Sequence, residues 1–591
     1  MATRSWMRFT PGLRTLSTYQ RDWLPRDLVA GLVLAAVIVP VGMAYAELAG
    51  LPAYAGLYAS LLPLFVYALL GPSRALVVGP DGATASLVAA AVVPLALADP
   101  SRRLALAGML ALLVGAICIA VGVARLGFVT ALLSKPVRIG YMNGIAVVVI
   151  VSQLPKLFGF KAPGDGVLAQ IEAFARAIGQ TNPAALSLGA GSLVAVLLMR
   201  QFVPRVPGPL LVVALTTVLT AVLGAARLGV ATVGVLPQGL PSFAWPAVNA
   251  QDTLTLVAAA AGIAIISLTD TSVLSSAFST RFKYSVQADD EFVAMGAANV
   301  AVGLFQGFPV SGSQTRSAAN ASAGARSPVS GLVAAVALGA MLFAAPGLVK
   351  SLPVSVLAAI VIMAGVELSD VHGLLRLRRL RPTEFALSLI SFAGVIVLGV
   401  LSGVFFAVAL SVLNFMRRQW WPHDAVLGRV HGVKGYHDIG DFVEAEQIPG
   451  LLLWRFDAPL FFANAAIFRQ RLRARIAAAP SPVHRVVLCA EPLIDVDTTA
   501  ADSLLEMLDE LKGRDIEFAF AELKHPVRQQ LERYGLLGEP GCPALYPTIG
   551  SAVHAFVDVY GVDWVDWQDA DDKARHDVDV QEVAAEDGAP E

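Results

Sequence analysis

Phe308-Pro309-Val310-Ser311-Gly312-Ser313-Gln314-Thr315-Arg316 interrupts an apolar part of the chain. Gly79-Pro80-Asp81-Gly82-Ala83-Thr84 does the same, and aligning Pro80 with Pro309 gives an offset of 229 residues. The same offset sets Pro40 against Thr269, the neighbour of Asp270. Each half therefore reads as an interrupted helix followed by a Gly/Pro element that opens a short apolar helix. Broken helices at matching places in two halves point to an inverted repeat with a ligand near the bilayer midplane. A helix opened by proline leaves its first N–H groups unpaired. Those groups and the positive end of the helix dipole attract negative charge. Gly82 and Gly312 allow close backbone approach, and Ser311, Ser313 and Thr315 add hydroxyl donors. The alternative is a pair of ordinary Gly/Pro kinks in spanning helices.

The surrounding chain supports a membrane setting. Of 591 residues, 56% are hydrophobic and 15% charged, against about 25% charged in soluble proteins. A disordered chain and a typical soluble enzyme are excluded. A spanning helix needs ~20 mostly apolar residues. Leu104–Ala124, Val206–Ala226 and Ala386–Met416 qualify without a single charge. The last is too long for one span, and Gly399, Ser402 and Gly403 offer a break. Further candidates lie near 27–47, 52–70, 82–98, 137–155, 183–200, 252–272, 291–307, 313–323, 328–345 and 352–369. This predicts about fourteen segments.

Charge sets the orientation. With the N-terminus inside, even-numbered connections should be basic. Arg74, Arg125, Lys135, Arg138, Arg200, Arg205, Arg281, Lys283, Arg326, Arg376, Arg378, Arg379, Arg381, Arg417 and Arg418 fall in them. Arg102, Arg103, Lys156 and Lys161 are exceptions. An even count places both termini in the cytoplasm, in the cell (inner) membrane. The net charge of −2 divides into +13 over residues 1–423 and −15 over 424–591. The basic excess lies in the apolar part, which argues against nucleic acid as a partner. Arg4, Arg8, Arg14, Arg21 and Arg26 mark residues 1–26 as a cytoplasmic arm, not a cleaved signal. Cys118, Cys489 and Cys542 form no CxxC pair, so no disulfide framework or zinc site is expected.

These residues resemble those of the SulP (sulfate permease) family. Ile38-Val39-Pro40-Val41-Gly42-Met43-Ala44-Tyr45-Ala46-Glu47-Leu48-Ala49-Gly50-Leu51-Pro52, continued by Gly56-Leu57-Tyr58, is similar to its first-helix signature. Gly71-Pro72-Ser73-Arg74 and Gly79-Pro80 are similar to the approach to its third helix. Gly307 through Asn320 resembles its tenth-helix motif. The resemblance spans roughly residues 20–560. It implies a polytopic α-helical protein of about fourteen transmembrane segments in two inverted seven-helix repeats, with core and gate domains and a C-terminal STAS domain. It further implies transport of sulfate, bicarbonate, chloride or dicarboxylates by a homodimer. Two positions depart: many relatives have Gln at Val41, and a hydroxyl or apolar residue at Asp81. Tyr45, Asp81, Gly82, Ala83, Ser311, Gly312, Ser313, Thr315 and Arg316 form the expected binding set, Arg316 supplying positive charge by the family match.

An ionisable residue at the bilayer centre costs ~2.5–3.5 kcal/mol on insertion scales. Asp270, and secondly Glu47, are expected to carry the coupling ion, H⁺ or Na⁺. Glu47 also fits an interfacial position, and Asp270 a helix–helix hydrogen bond. Glu367 and Asp370 read as interfacial salt bridges.

From about Asp424 the pattern changes. Leu451–Phe456, Val486–Cys489 and Glu517–Ala521 read as strands, and Asn464–Ala478 and Thr499–Leu511 as helices, together a small α/β domain. Asp497-Thr498-Thr499-Ala500 stands where some STAS relatives have a phosphorylated Asp-Ser-Ser-Gly run. It reads as a regulatory site or as a plain N-cap. His423, His431 and His437 read as surface residues. No metal cluster, cofactor motif or catalytic constellation stands out, so a transporter without cofactor is expected, not an enzyme. The expected organisation is 1–26 arm, 27–420 membrane domain (repeats about 27–235 and 250–420), 421–561 STAS domain and 562–591 acidic disordered tail. Rivals are a bicarbonate or C4-dicarboxylate carrier, or a membrane-anchored signalling protein without transport.

Overall fold

A computed structural model describes residues 11–564 apart from 97–98, 128–129, 131–132, 163, 165, 203–207, 283, 345–346, 348 and 539–541. Arg4, Arg8, Arg205, Lys283 and the tail beyond Trp564 lie outside the described residues. The chain divides into two compact units, Met1–Val412 and Leu413–Glu591. The division falls inside a helix, ahead of the boundary expected at 420.

The first unit is helical. Its membrane helices are α1 (Leu24–Leu48), α2 (Ala53–Leu70), α3 (Gly82–Val92), α4 (Pro100–Val123), α5 (Lys135–Leu157), α6 (Pro183–Phe202) and α7 (Gly208–Leu223) in the first half. The second half has α8 (Ala250–Phe282), α9 (Ala288–Leu304), α10 (Gln314–Ser322), α11 (Val329–Ala344), α12 (Val354–Leu368), α13 (Pro382–Leu398) and α14 (Val400–Trp420). The halves match element for element. Even the helix before the sixth span, Val167–Ala177, has a counterpart before the thirteenth, Val371–Leu380. The apolar run near 386–416 breaks where the two-span reading needs it, at Gly399 with φ +85°, a value only glycine adopts freely.

One expectation needs correction. The helices carrying Pro40 and Thr269 are not interrupted: α1 runs through Pro40 and α8 is continuous over 33 residues. A proline inside a helix removes one backbone bond, and the rest of a long span carries it. The breaks belong to α3 and α10 alone. Each is preceded by a two-residue strand, β1 (Val78–Gly79) and β2 (Ser311–Gly312), which pair antiparallel as Val78↔Gly312 and Gly79↔Ser311.

Two bundles result. Helices α1, α2, α4, α8, α9 and α11 pack together around the half-helices, while α5 packs against α12 and α13, and α6 against α7 and α12. The most extensive seam joins α4 to α9. A Cβ on Gly115 would lie 2.7 Å from the Gly296 carbonyl oxygen, and one on Gly296 2.7 Å from that of Gly115. Gly108 and Gly303 repeat the arrangement one heptad away, at 3.0 and 2.7 Å. Small residues at this spacing bring the backbones into contact, which drives helix association where both helix surface and lipid are apolar.

The second unit is a six-stranded sheet. β3 (Asp424–Arg429), β4 (Tyr436–Asp438), β5 (Leu451–Phe456), β6 (Arg485–Cys489), β7 (Glu517–Ala521) and β8 (Ala544–Tyr546) lie in the order β4-β3-β5-β6-β7-β8. The pairs from β5 to β8 are parallel, and β3 is antiparallel to both neighbours. Alternation along β5 sends Leu452, Trp454 and Phe456 to the face covered by α15 (Ala465–Ala477), α16 (Thr498–Lys512) and α17 (His525–Arg533). Leu451 and Leu453 meet α18 (Ile549–Tyr560) on the other face, where Val562 and Trp564 also pack.

Asp424 anchors this sheet to α15. Its oxygens accept from Arg471 Nη1 at 2.7 Å, Arg475 Nε at 2.9 Å and Trp454 Nε1 at 3.1 Å. Burial pushes the carboxyl up, but the bonds from Arg475 and Trp454 and the charges of Arg475 and Arg471 outweigh it, holding Asp424 below the ordinary carboxylate value.

Two tests follow from this packing. Gly115→Val and Gly296→Val should each lower thermal stability in detergent, by about 1–3 kcal/mol for overpacking. Gly191→Val, with open space around it, should leave melting unchanged. Because the folded Asp424 value is lowered, its contribution is present above the unfolded value and lost as pH falls through the folded one. Asp424→Asn should destabilise the second unit by about 1.5–3 kcal/mol at neutral pH and flatten its acid limb. Hydrogen exchange in β5 of the full chain, referenced to intrinsic rates at each pH, reads both effects.

Candidate functional site

The half-helices α3 and α10 begin at the β1–β2 pair, and polar groups hold that pair in place. Ser313 N donates to Val77 O at 2.9 Å, and Val77 N to Ser317 Oγ at 2.8 Å. Asn299 of α9 receives Val310 N at 2.9 Å and donates to Val310 O at 3.0 Å. Gly312 N donates to Thr271 Oγ1 of α8 at 3.3 Å. These bonds satisfy backbone that hydrocarbon would otherwise leave unpaired.

The two helix starts are not equivalent. Asp81 caps α3: its Oδ1 accepts from Ala83 N at 2.9 Å and Thr84 N at 3.1 Å. The anion-attracting end of α3 thus already holds a carboxylate. On α10, Ser313 Oγ accepts from Arg316 N at 3.4 Å. Among the described residues, no acceptor meets the amides of Gln314 and Thr315. The open helix terminus is therefore that of α10.

A cavity of about 500 Å³ lies in front of this terminus. Tyr45, Asp81, Ala83, Asp270, Gly312 and Thr315 of the expected set line it, bringing together α1, α3, α8 and α10. Gly82 sits behind the lining, where a Cβ would meet Leu368 at 3.1 Å. Ser311 and Ser313 are buried in the strand pair and the cap rather than in the lining. Arg316 is also behind it. Its guanidinium is buried and donates to Pro80 O, and a Cβ on Gly79 would lie 2.7 Å from its Nη1. Among the described residues its Nε and Nη1 meet no acceptor. Arg316 therefore places its charge beneath both helix starts without reaching the lining.

Asp270 faces the cavity with Arg138 Nη1 of α5 at 3.6 Å from its Oδ1. Glu47 is elsewhere. It stands in the last turn of α1, where the span ends, and its carboxylate is 3.3 Å from Lys156 Nζ of α5. In the second unit, Asp497 caps α16, accepting from Ala500 N at 2.8 Å and, on its other oxygen, from Phe462 N at 2.8 Å. Thr498 and Thr499 follow it, exposed on the first turn.

Residue reasoning missed Arg138, Met142, Gln314, Glu367 and Asp370 as lining residues. Glu367 is an ion-pair partner of Arg200 at 2.8 Å, but it also accepts from Thr315 Oγ1 at 3.3 Å at the cavity rim. Arg138 was legible only as an inside-marking cation. Its place after Pro136 in the first turn of α5 carries no local sign of a ligand. Among the described residues no group of His, Cys, Asp and Glu could hold a metal ion, and His423 pairs with Asp457 at 3.0 Å.

Comparison with known proteins agrees with this geometry. The sulfate permease family matches residues 24–391, and the STAS domain matches residues 442–552. A probable sulfate transporter of Mycobacterium tuberculosis is 42% identical over 556 residues, 94% of this chain and 99% of that protein. The chloroplastic sulfate transporter 4.1 of Arabidopsis thaliana is 30% identical, over 92% of this chain and 82% of that one. The solved structure of murine solute carrier 26 family member A9, an anion transporter in the inward-facing state, superposes with a TM-score of 0.86 at 24% identity, covering 93% of this chain and 94% of that one. The chain belongs to the sulfate permease family, and its C-terminal α/β domain is a STAS domain.

Proposed function

We propose that this protein is a secondary active transporter of small anions, with sulfate the favoured substrate, driven by H⁺ or Na⁺ entering with it. The observation that carries this reading is the cavity itself, where the open amides of α10 and the acid Asp270 share one chamber walled by both bundles. Helix-terminal amides and a hydroxyl such as Thr315 suit an oxyanion. An intramembrane acid beside them suits a cation that offsets the entering charge. Sulfate is favoured because the relatives above are named for it. Movement of α1–α4 and α8–α11, carrying the half-helices, against α5–α7 and α12–α14 would expose the cavity to each side in turn. Glu47 has no part in coupling on this reading, because Lys156 neutralises it away from the cavity.

The protein is proposed to sit in the cell membrane with both termini cytoplasmic and to work as a homodimer. The exposed Thr498 and Thr499 remain the proposed regulatory positions of the STAS domain. A phosphate there would meet the N-terminus of α16.

The test is uptake into proteoliposomes of sulfate in competition with bicarbonate, chloride and succinate, at two pH values with and without Na⁺. Saturable sulfate uptake that a proton or Na⁺ gradient accelerates is expected. Flux of bicarbonate or succinate instead moves the substrate within the family, and flux of none of the four, with the fold intact, supports the signalling rival. Asp270→Asn should abolish gradient-driven accumulation while leaving the protein in the membrane. Undiminished gradient-driven accumulation in that variant would remove Asp270 from coupling.

A further inference from the structure

The cavity poses an electrostatic problem for an anion. Asp81, Asp270, Glu367 and Asp370 line it, and Arg138 is the one Arg or Lys among its lining residues. Three of the four carboxylates are engaged within the protein. Asp81 accepts the α3 amides, Glu367 pairs with Arg200, and Asp370 caps the helix Val371–Leu380 through Gly373 N at 2.7 Å. Asp270 has Arg138 for its ion pair, at 3.6 Å. That distance is a Coulomb contact rather than a hydrogen bond. Neither side chain is sealed, with 28% of Arg138 and 18% of Asp270 exposed.

The pair also joins two bodies. Arg138 is carried by α5, which packs on α12 and α13, and Asp270 by α8, which packs on α4. From this geometry we infer that Arg138 is an anion-binding residue whose availability Asp270 controls. In the empty cavity the carboxylate of Asp270 holds the guanidinium. When Asp270 takes a proton from water, or a cation settles on it, Arg138 is released to the anion beside the Gln314 and Thr315 amides. The groups that act on Asp270 are Arg138 and Tyr141 from α5 and Asp81 at the cap of α3, while Tyr45 from α1, Glu367 from α12 and Asp370 beyond it share the cavity, with Arg316 behind Pro80. Arg138 alone among them is both cationic and in the lining. Anion and coupling ion then favour each other's binding through one shared group, and by linkage the effect is mutual. The inference rests on the transport reading above and adds to it the residue that ties anion affinity to the coupling ion.

A double-mutant cycle separates binding from support. The probe is radiolabelled sulfate, bicarbonate, chloride or succinate, whichever the wild type takes up, bound to the purified full chain at two pH values. Asp270→Asn frees Arg138 permanently and should tighten binding and make it independent of pH. Arg138→Gln placed on top of Asp270→Asn should then weaken binding about tenfold or more, the loss of a charge-assisted contact, and Arg138→Lys in the same background should retain most of it. If Arg138 serves only to hold Asp270 in place, the opposite holds: Arg138→Gln harms the wild type and costs nothing once Asp270 is neutral. Equal affinity of Asp270→Asn and the double variant overturns the inference and leaves the transport reading standing. A wild type that takes up none of the anions overturns both.

Discussion

A backbone N–H that begins a helix inside hydrocarbon has no water to turn to. This protein starts two helices there, and the rest of the membrane unit is arranged around that constraint. The two-residue ladder Val78–Gly312 and Gly79–Ser311 ties the two starts together, and Ser317, Asn299 and Thr271 satisfy the flanking backbone. Arg316 binds the Pro80 carbonyl from behind. Among the described residues the first amides of α10, those of Gln314 and Thr315, meet no acceptor, and both residues line the cavity.

The repeat is symmetric in its elements and asymmetric in its chemistry. At the two equivalent helix starts, Asp81 and Ser313 both cap, but only Asp81 brings a charge. Asp81 takes the place of an internal anion, occupying amides at the start of α3. The one Arg or Lys among the lining residues, Arg138, comes from α5, outside the half-helices, and pairs with Asp270 of α8.

Much of the fold was legible because membrane insertion imposes simple local rules. Span length, the break at Gly399, and the Gly/Pro runs that open α3 and α10 all leave marks in composition. In the second unit, Leu451–Phe456 was legible as a short apolar run and Glu517–Ala521 by its alternating phenylalanines, each bounded by turns. Strands Asp424–Arg429 and Ala544–Tyr546 were missed, since each mixes small, polar and turn-like residues and owes its place to pairing partners. Pro40 misled for a related reason. Proline signals a break locally, but a long apolar span tolerates one missing bond.

In the site, residue type carried the anion chemistry: hydroxyls, glycines and a helix start after proline can be recognised without neighbours. Length and hydropathy likewise carried the number of spans, and the repeat offset carried the pairing of α3 with α10. Distance between residues far apart in the chain was not available from any of these. Only the packed structure placed Arg316 behind the cavity lining instead of in it, moved Glu47 to Lys156, and set Arg138 against Asp270, 132 positions further along the sequence. The physical reason is that solvation and periodicity act on each segment separately. A charge inside the membrane takes its meaning from the partner that neutralises it, and that partner is chosen by tertiary packing.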